Sequence, residues 1–195
     1  MRPLKATLPL LLALLAPALP ATALAAAPAG TGAEADSALF TADGYRQTRY
    51  RSPTPDTVEH AVTVDTPAVQ ALIAADPTAV LVDSYRATWR HDRFIHDEGH
   101  RSIPGSLWLA YIGEHEVDAG WLDYLAQHLY QATGGDPDLP LVFFCRSDCW
   151  ASWNAVRRAH GLGYRKLYWY RDGIDAWEQA GLPLVPATSA APLTP

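Results

Sequence analysis

Two four-residue runs, Ala79-Val-Leu-Val82 and Leu141-Val-Phe-Phe144, are apolar at every position. A strand with one wet face alternates apolar and polar residues, whereas a strand with no polar face must be covered on both sides. Such strands belong to parallel sheets sandwiched between helices, and the intervening segments fit that plan. Ala61-Val-Thr-Val64 predicts a first strand. Thr66 to Ala75 predicts a helix, with Thr66 as its cap and Pro67 at the first helical position. Leu107 to Tyr111 predicts a third strand. Asp118 to Thr133 predicts a helix with Trp121, Leu122, Leu125 and Leu129 on one stripe, stopped by Gly134-Gly135. Lys166 to Tyr170 predicts a fifth strand, and Ile174 to Ala180 a short helix ahead of Gly181. Strands alternating with helices define an α/β fold, a parallel five-stranded sheet flanked by helices.

The chain ends read differently. Met1-Arg2 and Lys5 make a positive start, and Leu8 to Pro20 is rich in Leu and Ala. Ala23-Leu24-Ala25 puts small residues where a signal peptidase reads them. Residues 1–25 are therefore expected to be a secretory signal peptide. The alternative, a membrane anchor, meets a run that is short for a span and broken by Pro17 and Pro20. Residues 26–60 read as a leader followed by an arm, Phe40 to Asp56, whose aromatics and prolines suit packing on the domain. Residues 61–186 are the folded domain, and 187–195, rich in Ala, Pro and Thr, a flexible tail. No internal repeat is present. No second long apolar segment follows, so no membrane span is expected in the mature protein. The net charge of −6 argues against nucleic acid or an anionic membrane as partner.

The chemistry concentrates in Cys145-Arg-Ser-Asp-Cys149-Trp150, which holds both cysteines of the chain. The loop leaves the Leu141–Phe144 strand and feeds a helix, Ala151 to His160, closed by Gly161. Free N–H groups at a helix start favour an anion, so a cysteine there is biased toward thiolate. In an exported protein the pair suits a structural bridge, a cycling redox pair or a metal site. In parallel α/β sheets ligands bind beyond the carboxyl ends of the strands, and Asp83 and Cys145 both lie at such ends.

From about Thr66 to Val185 the chain resembles a rhodanese domain. Leu81-Val-Asp-Ser-Tyr-Arg86, Gly99-His100-Arg-Ser-Ile-Pro-Gly-Ser106, the loop Phe144-Cys145-Arg-Ser147 and Gly173-Ile-Asp-Ala-Trp177 through Pro183 carry the likeness, in the family's order. The resemblance implies a rhodanese-like sheet with Cys145 as nucleophile and Asp83 in a structural role. The family's loop continues with a glycine and soon after an anion-binding arginine; here Asp148, Cys149 and Trp150 stand instead. An acid in the loop should repel thiosulfate-like anions, so thiosulfate:cyanide sulfur transfer is expected to be weak or absent.

The Cys-x-x-x-Cys-Trp loop, the signal peptide and the arm Gly44-Tyr-Arg46 through Tyr50-Arg-Ser-Pro-Thr-Pro55 resemble a narrower group. These are the periplasmic Cys-Trp-motif proteins associated with catabolism dependent on pyrroloquinoline quinone (PQQ). That resemblance implies a periplasmic accessory role in alcohol oxidation, beside a quinoprotein dehydrogenase, a cytochrome c or a transporter component.

Several chemistries fit the loop. In a thiol/disulfide or persulfide device, Cys145 attacks with help from Arg146 and Cys149 resolves. A static disulfide would merely pin the loop. The sequence fixes no cofactor, but copper(I) or zinc suits two thiolates joined by a histidine, with Cys145, Cys149, His96 and His100 as runner-up ligands and copper the metal expected. Covalent c-type haem would need a histidine where Trp150 stands. A non-enzymatic docking role is the remaining reading, with the acidic surface suiting a basic partner. Ser147 and Asp148 complete the loop, and Asp148 would raise the pKa of the nearby thiols. Asp83 and Arg86 are expected to form an ion pair that braces it, with His100 nearby. Trp150 is expected to serve as an apolar lid or docking surface.

Overall fold

In a computed structural model of the chain, residues 38–95 and 99–192 are described. The expected signal peptide and His96 lie outside these residues. The elements are β1 (Val62–Val64), α1 (Thr66–Ala75), β2 (Val80–Asp83), β3 (Thr88–Arg90), β4 (Arg93–Ile95), β5 (Arg101–Ser102) and β6 (Leu107–Trp108). They continue with α2 (Ala119–Thr133), β7 (Leu141–Phe144), α3 (Trp150–Gly161), β8 (Leu167–Tyr170), α4 (Gly173–Gln179) and β9 (Val185–Pro186). Five strands form one sheet in the order β1-β8-β7-β2-β6, every pair parallel.

The central strand β7 explains the arrangement. Its four side chains are fully buried. Leu141 and Phe143 pack with Leu125 and Leu129 of α2 and Val156 and Ala159 of α3. Val142 and Phe144 pack on the opposite face with Val69 of α1 and Ile174 and Trp177 of α4. Burying one such side chain contributes about 1.5–3 kcal/mol, so a polar substitution anywhere on β7 removes support from one helical layer or the other. Cys145 follows Phe144 directly and emerges at the carboxyl edge of the sheet.

Several expectations are corrected. The cap of α1 is Asp65, whose carboxylate accepts from the Ala68 N–H at 2.9 Å, while the Thr66 hydroxyl bonds the Tyr170 hydroxyl at 2.6 Å. The third strand stops at Trp108, and the chain turns at Tyr111, which holds a φ of 82°. The polar stretch 84–102 is not all loop. It contains the β3–β4 hairpin, whose turn residues His91 and Asp92 take the positive φ that tight hairpins favour. Its end, β5, pairs antiparallel with β9. The stretch read as a flexible tail from 187 is tied down through Ala191. Ala187 N–H donates to His100 O at 3.0 Å and Ala190 N–H to Trp108 O at 2.9 Å. The Tyr124 hydroxyl and His128 Nε2 donate to the carbonyls of Ala190 and Ala191.

Candidate thiol site

The loop from Cys145 to Cys149 is shaped by backbone contacts on both sides. On one side Ile174 N–H donates to Cys145 O at 2.9 Å, at an antiparallel bridge between Arg146 and Gly173. Gly173 has a φ of +52°, and a Cβ there would lie 2.1 Å from Cys145 O, so α4 approaches this closely only with glycine. Asp175 of α4 then gathers the loop. It accepts from Arg146 Nε at 2.9 Å, the Ser147 N–H at 3.1 Å and the Ser147 hydroxyl at 2.8 Å. Burial opposes a charge on Asp175, but these hydrogen bonds outweigh it and hold its carboxyl below the usual range.

The arm closes the other side. Arg51 and Cys149 form an antiparallel bridge, Trp150 N–H donates to Tyr50 O at 2.9 Å, and Ser52 N–H to Asp148 O at 3.1 Å. Asn154 of α3 locks the arm in place. Its Oδ1 accepts from Arg46 N–H, and its Nδ2 donates to the carbonyls of Arg46 and Gly113, each at 2.9 Å. Trp150 is buried beneath the arm. Its Nε1 donates to Ser52 Oγ, and the Arg46 guanidinium lies 4.5 Å from its ring centroid. It is the seat of the arm rather than an exposed docking surface.

Asp148 takes the left-handed conformation, with φ 51°. That is the backbone a glycine would hold without strain, and Asp is among the few side chains that tolerate it. Its Oδ1 accepts from the Thr54 N–H at 3.3 Å. Asp148 does not line the pocket at the thiols, so it is not the acid facing an incoming anion. Its part is to bend the loop and bind the arm.

Both thiols are free and buried, with 1% of Cys145 and 4% of Cys149 exposed. They stand within hydrogen-bonding reach of each other. A pocket of about 310 Å³ opens beside them, lined by Tyr50, Arg51, Tyr85, Arg86, Cys145, Arg146 and Cys149. Three arginines therefore surround the pair. Arg86 is held by Glu114 at 2.5 and 2.9 Å, and Arg146 by Asp175, while Arg51 lies 3.9 Å from Asp175. Burial pushes the Cys145 thiol well up, helped by Cys149 and the Asp83 charge. Cys149 shifts down, first through the proton that Cys145 offers it, against burial, which pushes it up, and then through the Ala151 and Arg146 N–H groups and Arg51. Burial also pushes the Tyr50 phenol up to about 12, so it stays protonated at neutral pH.

The expected Asp83–Arg86 pair does not form. Asp83, fully buried, accepts from His100 Nε2 at 2.8 Å, Ser102 Oγ at 2.6 Å and the Tyr85 N–H at 2.8 Å. His100 stacks on Tyr85, 4.3 Å between centroids. Asp83 and His100 thus fix Tyr85 at the pocket wall. The Arg146 side chain turns to Asp175, its charge still acts on Cys145, and its backbone N–H serves both sulfurs. No group of three or more His, Cys, Asp and Glu side chains among the described residues is placed to hold a metal ion. His100 is engaged by Asp83. Sequence reasoning missed Arg51, Tyr85, Glu114 and Asp175 as parts of the site. Glu114 and Asp175 carry no local signal, because each acts on an arginine 28 or 29 residues away.

The fold is a parallel α/β domain with a two-cysteine loop between its central strand and a helix. A family model of the rhodanese-like domain matches residues 66–180, and the chain belongs to that family. Among solved structures it is similar to the polysulfide-sulfur transferase homodimer of Wolinella succinogenes. The identity is 18%, covering 66% of this chain and 81% of that one, with a TM-score of 0.43. A thiosulfate sulfurtransferase of Pseudomonas aeruginosa is 22% identical over 67% of this chain and 21% of that one, at a TM-score of 0.44. A human single-domain sulfurtransferase is 23% identical over 61% and 96%, at 0.40. No curated protein matches the chain. No helix among the described residues is long and apolar enough to cross a membrane.

Proposed function

We propose that the chain is a two-thiol redox or sulfur-carrier protein, exported to the periplasm as an accessory of PQQ-dependent alcohol oxidation. The observation that carries this reading is the pair itself: two free, buried thiols in mutual reach beside a cationic pocket. A disulfide co-reactant that takes up two electrons closes such a pair into a bridge, and reduction regenerates the thiols. The partner is a periplasmic quinoprotein dehydrogenase, cytochrome c or transporter component. The acidic net charge favours a basic docking face on that partner.

Thiosulfate:cyanide turnover is expected to be weak. The reason lies with Cys145, which is almost inaccessible and whose ionisation burial opposes. Mass spectrometry of the native protein tests the reading, because disulfide, persulfide, free thiols and metal adducts differ in mass. A bridge or persulfide on the loop is the expected result. If Cys149→Ser leaves both thiol status and growth on alcohols unchanged, the redox reading fails.

A further inference from the structure

We propose that Arg51, supplied by the arm, is the specificity-determining residue of the thiol pocket, selecting a small disulfide co-reactant that carries a negative group. The assignment deepens the two-thiol reading above and rests on it. Of the three arginines that line the pocket, two are fixed. Arg86 bonds both oxygens of Glu114, at 2.5 and 2.9 Å, and its guanidinium lies 4.1 Å from the Tyr50 ring centroid. Arg146 holds Asp175 Oδ1 through Nε at 2.9 Å and through a terminal nitrogen at 2.8 Å. Asp175 Oδ2 already accepts from the Ser147 N–H and hydroxyl. Arg51 is left with a 3.9 Å approach to that occupied oxygen, and its side chain is 55% exposed. Its backbone bridges to Cys149 while its guanidinium reaches Asp175 of α4, so the side chain runs from the arm side of the loop to the α4 side. It makes that crossing at the pocket that holds both sulfurs.

The charges around the pocket favour an anion. Three guanidinium groups meet two carboxylates there, which leaves one positive charge unanswered. Tyr50 stays protonated, and neither Asp83 nor Asp148 lines the pocket. Asp83 is enclosed by three donors, and Asp148 turns to Thr54. The whole chain has a net charge of −6, so the positive excess is local to the thiols. A half-exposed ion pair at long range contributes little, so Arg51 exchanges Asp175 for an incoming anionic group at small cost. Arg86 and Arg146 would each have to break a two-point bond to do the same. With the co-reactant held, one pocket thiolate attacks a disulfide sulfur and expels the first half as a thiolate. That thiolate takes the proton of the second pocket thiol, which then displaces the other half and leaves the internal disulfide. The protein pair loses two electrons, and the co-reactant gains them and departs as two thiols.

Two alkylating reagents of nearly equal shape test the anion preference without any redox step. Reduced protein is treated with anionic iodoacetate or neutral iodoacetamide, and the ratio of the two rates is measured. The ratio should fall about tenfold from wild type to Arg51→Gln and be largely kept in Arg51→Lys, since a unit charge near the reacting sulfur acts on one reagent alone. A thiol made less reactive, or an arm merely loosened, slows or speeds both reagents together and leaves the ratio unchanged. An unchanged ratio in Arg51→Gln overturns the assignment. Disulfides then test the co-reactant class: anionic oxidised glutathione should close the internal bridge faster than cationic cystamine in wild type, and Arg51→Glu should reverse that order. Equal rates in wild type overturn the proposed class. If neither disulfide closes the bridge while the alkylation ratio still depends on Arg51, the two-thiol reading falls and the anion site stands.

Discussion

At the residue scale, the loop tolerates what a β-strand or helix would not. Asp148 occupies the left-handed region and spends its carboxylate on the arm. Asp148→Ala keeps the strain and loses the Thr54 contact, so it should cost about 1–2 kcal/mol in urea unfolding. Asp148→Gly loses the same contact but relieves the strain, and should lie within about 1 kcal/mol of wild type. If alanine and glycine behave alike, the backbone explanation is wrong. Ser84 offers the opposite case. Its hydroxyl is fully buried and has no hydrogen-bond partner among the described residues. Ser84→Ala removes a dehydrated polar group and should be neutral or stabilising by up to about 1 kcal/mol; a clear loss of stability would reveal a partner.

At the scale of elements, α3 and α4 each hold one side of the thiol loop, and both depend on a single polar side chain. Asn154 is fully buried and makes three hydrogen bonds, two of which tie the arm to α3 and one of which holds Gly113. Asn154→Ala should cost about 3 kcal/mol. It should also open Arg46, Arg49 and Arg51 to trypsin, with cleavage there outpacing global unfolding. On the other side, Asp175 has its folded pKa held below the ordinary 3.8. A depressed carboxylate stabilises the fold above its unfolded pKa, and that contribution fades as pH falls through the folded value. Asp175→Asn should therefore lower the urea midpoint at neutral pH and narrow its gap to wild type below pH ~4. An unchanged gap at low pH would separate Asp175 from charge altogether. The sequence made these elements readable where burial is symmetric. Leu141–Phe144 has no polar face and could only be a doubly covered strand. It misled where a polar residue had two options, as at Asp65 and Thr66, because a hydroxyl can cap a helix or bond a neighbour across the fold.

At the scale of the whole molecule, both ends of the described chain are recruited to the sheet's periphery. The arm builds a wall of the thiol pocket, and the segment after β9 braces β6 and α2 through Ala187, Ala190 and Ala191. Removing residues 187–195 deletes at least the four hydrogen bonds of Ala187, Ala190 and Ala191 among the described residues and should cost about 2–4 kcal/mol, read as a lower unfolding midpoint with the thiol loop's chemistry unchanged. The parallel sheet was legible from its run-and-helix alternation, and the cysteine loop from its place between strand and helix. The charges around the thiols were not. Asp83 with Arg86 looked a natural pair by proximity in sequence, but Glu114 reaches Arg86 and His100 reaches Asp83 from loops that only the folded sheet brings together. Docked tails with Ala and Pro are equally opaque, because their hydrogen bonds run through the backbone and leave no mark on composition.

The bond between Arg46 and Asn154 spans 108 residues. Closing so long a loop is entropically slow and waits for the intervening domain to form. During synthesis the arm emerges first and its seat much later, so the thiols stand open to solvent until the arm arrives. The order of events then becomes part of the chemistry. An oxidant present during folding meets two unshielded cysteines, whereas the same oxidant added later meets a pair already screened by Tyr50 and Arg51. Protein refolded in reductant and protein refolded in oxidant should therefore reach the same fold by different routes, with the arm locking in whichever thiol state it finds.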